Sequence, residues 1–128
     1  MGSCFPDRIL RAAISAGHLG DEQGLAAFID TDAVAQTVGE LRSAFPENFQ
    51  HTFAAKANTL RRALECVRAL GMGCEVASPG ELEQALRAGF APAEIVFDEP
   101  AKTGAVLRKV FETGVNLNID NLQEFERV

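Results

Sequence analysis

The chain has 128 residues, 47% hydrophobic and 23% charged, with a formal net charge of −6. That length supports one hydrophobic core, and the negative balance argues against nucleic acid or an anionic membrane surface as the main partner. Cys4, Cys66 and Cys74 are odd in number and form no CxxC pair, so reduced thiols in a cytoplasmic protein are expected rather than a disulfide framework or a zinc site.

The opening "MGSCFPDRIL" lacks the apolar core of a signal peptide. Nowhere does an apolar run approach the ~18 residues of a membrane span, so neither feature is expected. Residues 6–17, "PDRILRAAISAG", read as an amphipathic helix, and residues 1–24 as an N-terminal helical extension. "LAAFID" (25–30) reads as a strand. "TDAVAQTVGELRSAF" (31–45) then reads as a helix capped by Thr31 or Asp32, with Val34, Val38, Leu41 and Phe45 on its buried stripe and Pro46 ending it.

From there the pattern repeats. Strand candidates "TFAAKA" (52–57), "GCEVAS" (73–78), "EIVFDE" (94–99) and "VNLNID" (115–120) start 21 residues apart. The intervening segments have helical spacing: Leu60, Leu64, Val67 and Leu70; Leu82, Ala85 and Leu86; Val106, Leu107, Val110 and Phe111. "SPGE" (78–81) supplies Ser78 as N-cap, Pro79 at the first helical position and Glu81 to complete a capping box. Gly71, Gly89 and Gly114 stand where helix ends need positive φ. Short strands alternating with helices mean βαβ units and a parallel sheet, hence an α/β chain forming one partial domain over residues 1–128.

Alternation within the strands favours one architecture. Val115, Leu117 and Ile119 share a face opposite Asn116, Asn118 and Asp120, and Phe53 and Ala55 oppose Thr52, Ala54 and Lys56. An open sheet covered on both faces reads uniformly apolar, whereas a barrel turns one set to its helices and the other to its interior. About four parallel strands therefore suggest the N-terminal half of a (β/α)8 TIM-like barrel, whose chemistry sits at the C-terminal strand ends.

Lys56 is the residue that this placement singles out. A partly desolvated lysine amine can form a Schiff base with a carbonyl, but a strand-end lysine that simply reaches water explains the residue too. Asp98 and Lys102 in "FDEPAKT" read mainly as structural. Asn118 and Asp120 either approach a ligand or satisfy the barrel interior, and Cys74 should face the helices. His18 and His51 lack metal-ligand spacing, and "GMGCE" precedes a strand, which rules it out as a dinucleotide fingerprint.

The ordered blocks "FAAKAN", "GCEVASPGELEQALRAGFAPAEIVFDEPAKT" and "GVNLNIDNLQEFERV" resemble the N-terminal barrel of the fold-type III pyridoxal-phosphate decarboxylases, the ornithine, diaminopimelate and arginine decarboxylase family, with its alanine racemase-like fold. The resemblance runs from about residue 25 to the end. It implies that Lys56 holds pyridoxal phosphate, that Ala54 lines the cofactor, that Glu75 lies close to the lysine and that Ser78 closes a cofactor-side block. Phe53 and Ala55 replace the tyrosine and valine usual in the family. The implied function is a carboxy-lyase releasing CO2 from a basic or diamino acid, in a parent that forms a homodimer. By the same resemblance the chain corresponds to an N-terminal fragment, with the glycine-rich phosphate loops and the partner of the pyridine nitrogen outside it. An amino-acid racemase on this fold and a non-catalytic half-barrel are the alternatives.

Overall fold

The computed structural model describes residues 5–127, so Cys4 lies outside the described residues. Two compact units divide the chain, one ending at Asp30 and the other beginning at Thr31. In the first, helix α1 (Phe5–Ser15) gives way to Gly17 at φ 73°, and Gly20 pairs with Gln23 in an isolated antiparallel bridge. The strand expected at residues 25–30 does not form. That stretch has strand composition, but a strand exists only through a ladder partner, and none of the described residues supplies one. Leu25, Phe28 and Ile29 are exposed there.

The second unit holds the repeat. Helix α2 (Thr31–Ser43) is followed by β1 (Thr52–Ala54), α3 (Arg61–Ala69), β2 (Gly73–Val76), α4 (Pro79–Arg87), β3 (Ile95–Phe97), α5 (Gly104–Thr113), β4 (Asn116–Leu117) and the short α6 (Leu122–Phe125). The strands pair in parallel and in sequence order, β1-β2-β3-β4. Parallel crossovers are right-handed, so strands added in one direction place every helix on the same face. A doubly wound sheet would reverse its order, and this one does not.

The register shows the two faces. Cys74, Val76, Ile95 and Phe97 are buried, and they join Leu64, Val67, Leu82, Ala85 and Val110 from the helices in one core. Ala54, Glu75, Val96 and Asn116 lie side by side in the opposite row, and none is fully buried. This is the inward and outward division expected of a barrel wall.

The local signals hold at the helix ends. Ser78 Oγ accepts from the Glu81 N–H at 3.2 Å, while Glu81 Oε2 accepts from the Ala77 N–H at 2.8 Å, one residue before the cap. Gly71, Gly89 and Gly114 have φ of 80°, 90° and 72°. Gly73 is needed for another reason: a Cβ there would lie 2.6 Å from the Glu94 carbonyl oxygen.

Helical stripes were read too broadly at their edges. Leu64 and Val67 are buried, yet Leu60 precedes its helix and is exposed. Leu41 and Phe111 are exposed as well. Phe45 lies past the end of α2, where its ring meets Phe49 at 5.4 Å and His51 at 5.1 Å.

Because Phe97 is fully buried and Phe111 is 66% exposed, their truncations should separate clearly. Phe97→Ala is expected to cost about 3–5 kcal/mol and Phe111→Ala under about 0.5 kcal/mol, measured by urea denaturation.

Candidate functional site

Strand β1 is only three residues long, and Lys56 lies beyond it in a single 3-10 turn, Ala55–Ala57. Ala55 is fully buried and anchors that turn in the core, while the Asn58 N–H donates to the Ala55 carbonyl at 3.0 Å. Asn58 Oδ1 in turn accepts from the Leu60 N–H at 3.0 Å and closes the loop into α3. Lys56 is thereby lifted off the C-terminal end of β1 on a short, internally bonded platform. Its side chain is 65% exposed, and its Nζ lies 3.6 Å from Glu75 Oε1. The partial desolvation expected of an inward strand lysine is not met among the described residues.

Glu75 reaches Lys56 because the register sets Glu75 beside Ala54, two residues before the lysine. Ala54 contributes only a methyl group below the amine. An open cleft of about 460 Å³ lies over these strand ends, lined by Lys56, Ala77, Asp98, Pro100 and Asp120. Each strand contributes to it through the segment that follows it, and the volume falls in the range of small-ligand sites.

Of the expected site residues, Lys56, Glu75 and Ala54 come together. Ser78 is not among the residues lining the cleft; its oxygen caps α4, next to Ala77 of the cleft wall. Ala77 and Pro100 were not anticipated. Ala77 directly follows β2 and Pro100 lies three residues past β3, and position after a parallel strand is the signal that could have found them.

The buried lysine is Lys102. Its side chain has no exposed surface, and its Nζ donates to Asp120 Oδ2 at 2.7 Å and to Glu124 Oε2 at 3.1 Å. Glu124 Oε2 also accepts from the Asp120 N–H at 3.1 Å, and Asn121 Oδ1 caps α6 by accepting from the Glu124 N–H at 2.9 Å. Burial alone would draw the Lys102 ammonium below its ordinary pKa. The hydrogen bonds and charges of Asp120 and Glu124 outweigh that and hold it above. The cluster ties the segment after β3 to the segment after β4 and fixes one wall of the cleft. Burial also pushes the Cys74 thiol up to about 11, which leaves it a packing residue.

Residues 31–128 match the family described as pyridoxal-dependent decarboxylase, pyridoxal binding domain. The chain belongs to that family. It is 38% identical over 77 residues to the ornithine decarboxylase of Neurospora crassa, covering 59% of this chain and 16% of that one. It is 40% identical over 77 residues to the diaminopimelate decarboxylase of Pseudomonas aeruginosa, covering 59% of this chain and 19% of the other. The structure of the Vibrio vulnificus lysine/ornithine decarboxylase complexed with putrescine superposes with a TM-score of 0.78 at 25% identity, over 99% of this chain and 34% of that one. The matched segments thus span less than a fifth of each of these two curated relatives.

The family's group is pyridoxal, and the cleft meets its aldehyde end. An accessible primary amine stands beside a carboxylate, and the small Ala77 shares the cleft lining with it. The phosphate is not met in the same way, since Lys56 is the only cation among the described lining residues.

Lys102→Met would leave two carboxylates without their cation and should cost about 3 kcal/mol near neutral pH. A lysine whose pKa is raised by folding stabilises fully below its unfolded value, and the contribution disappears as pH rises through the folded one. The wild-type advantage should therefore shrink above the ordinary lysine value of 10.5, as followed by urea midpoints between neutral and strongly alkaline pH.

Proposed function

We infer that this chain supplies the lysine-bearing part of a pyridoxal-phosphate-dependent amino-acid decarboxylase, with Lys56 as the anchor of the cofactor. The observation that carries this reading is the placement of an accessible lysine amine at the C-terminal end of a parallel strand, over a ligand-sized cleft, in a chain of the pyridoxal binding family. Relatives named for ornithine and diaminopimelate support a basic or diamino acid as the substrate class. Free thiols at Cys66 and Cys74 support a reducing, cytoplasmic setting. The working enzyme is taken to be a homodimer, on the strength of the family resemblance.

Pyridoxal phosphate, when bound, supplies an electron sink for the pair released as the α-carboxylate leaves as CO2. The residues of this chain hold and orient. Lys56 provides the amine that captures the aldehyde carbon. Glu75, 3.6 Å away, restrains that amine through charge and can take or return a proton at Nζ. Ala54 and Ala77 keep the approach to the amine free of bulk. The buried Lys102 cluster prevents the wall carrying Asp120 from collapsing into the cleft.

Incubation with pyridoxal phosphate, borohydride reduction and peptide mapping should place the adduct on Lys56. Lys56→Arg should abolish it while the fold, followed by circular dichroism, is kept. An adduct spread over surface lysines with none at Lys56 would defeat the assignment.

Steady-state CO2 release by the 128-residue chain should be near background. Lys56 beside the cleft is largely exposed and the cleft is open, so it lacks the enclosure that desolvates a reacting carboxylate. Turnover at the level of a complete decarboxylase would contradict this.

A further inference from the structure

Proteins meet a phosphate with free cations or with the N–H groups that open a helix. Four helices, α3 to α6, follow the four strands and begin at the edge of the sheet that carries the cleft. At each of these heads the chain's own side chains already take a backbone donor. Asn58 Oδ1 holds the Leu60 N–H before α3 at 3.0 Å. Beside Ala77 of the cleft lining, Ser78 Oγ holds the Glu81 N–H and Glu81 Oε2 holds the Ala77 N–H, at 3.2 and 2.8 Å. Pro79, at the start of α4, has no N–H to give. Thr103 Oγ1 accepts from the Val106 N–H at 3.3 Å in α5, and Asn121 and Glu124 serve the single turn of α6. Two of the four heads thus carry a carboxylate where an incoming anion would be favoured.

The cations are engaged too. Lys102 is buried on Asp120 and Glu124. Arg61 and Arg62, at the head of α3, pair with Glu65 at 2.7 and 2.9 Å, and neither lines the cleft. Lys56 is left, and it is the amine itself.

We propose that these four strand ends recognise an aldehyde and not a phosphate. Lys56 captures carbonyl ligands without preference for a phosphorylated one, and residues other than these must hold the phosphate of the cofactor. This rests on the reading of Lys56 as the cofactor anchor and divides the task of recognition within it.

The test compares pyridoxal phosphate with deoxypyridoxal, which has a methyl group in place of the phosphate-bearing arm. Unlike pyridoxal, that analogue has no hydroxyl to close onto its own aldehyde. Condensation of amine and aldehyde releases water, and borohydride reduces the resulting C=N bond to a permanent adduct. Labelling of Lys56 in the 128-residue chain is followed by mass spectrometry, each rate divided by that of a free acetyl-lysine amide. The normalised ratio of phosphate to deoxy compound should be one or below, because the chain is net negative. A single charge-assisted contact to the phosphate would raise it about tenfold.

Inorganic phosphate gives a second readout. The amide resonances of Leu60, Arg61, Ala77, Glu81 and Val106 should show no saturable shift up to about 10 mM, which would fill most of a site with a Kd of about 1 mM. A ratio reproducibly above one, or a saturable shift at any of these amides, would overturn the proposal and leave the anchor standing. Absence of labelling at Lys56 by either aldehyde would overturn the anchor and the proposal with it.

Discussion

A parallel sheet built in strict strand order turns one of its faces to all of its crossover helices. Right-handed crossovers send α3, α4 and α5 to the same side, and their apolar stripes meet Cys74, Val76, Ile95 and Phe97 there. Ala54, Glu75, Val96 and Asn116 occupy the other side, and none of them is fully buried. Parallel strands also end together, so the segments that follow them gather at one edge. The cleft is a consequence of that geometry: Lys56, Ala77, Asp98 and Asp120 are distant in sequence and adjacent only because four strands stop at the same level.

Two lysines show how burial distributes roles within this edge. Lys102 is withdrawn from solvent, and its desolvation is offset by two carboxylates, each within hydrogen-bond reach. Such a group holds structure and is unavailable to a ligand. Lys56 makes one looser contact, at 3.6 Å, and stays largely in water. Its position is secured by backbone instead, through the buried Ala55 and the bonds that close the turn around Asn58. The Lys56 amine is therefore exposed at its tip and fixed at its base.

The fold was largely legible in the sequence because its signals are local. A 21-residue period, alternation within "VNLNID", the "SPGE" cap and three glycines at helix ends each reflect a constraint acting over a few residues. Lys56 and Glu75 were legible for the same reason, once strand register is granted. What escaped depends on partners. Residues 25–30 have strand composition and no ladder. The strand expected to carry Lys56 ends three residues earlier than its composition suggests, because pairing with β2 stops at Ala54 and Glu75. The bond between Glu124 and Lys102 is not legible in the sequence because it joins residues 22 positions apart, and no spacing rule links a loop lysine to a later helix.

The cleft's charge sets what it can do for a dianionic cofactor. Its described lining holds one cation and two acids, and the cation is the residue that must give up its charge to act as a nucleophile. Once Lys56 is neutral, the lining left by this sheet is wholly acidic and repels phosphate. On the proposed reading of Lys56 as the anchor, retention by these residues would come from a covalent bond at its amine rather than from charge attraction.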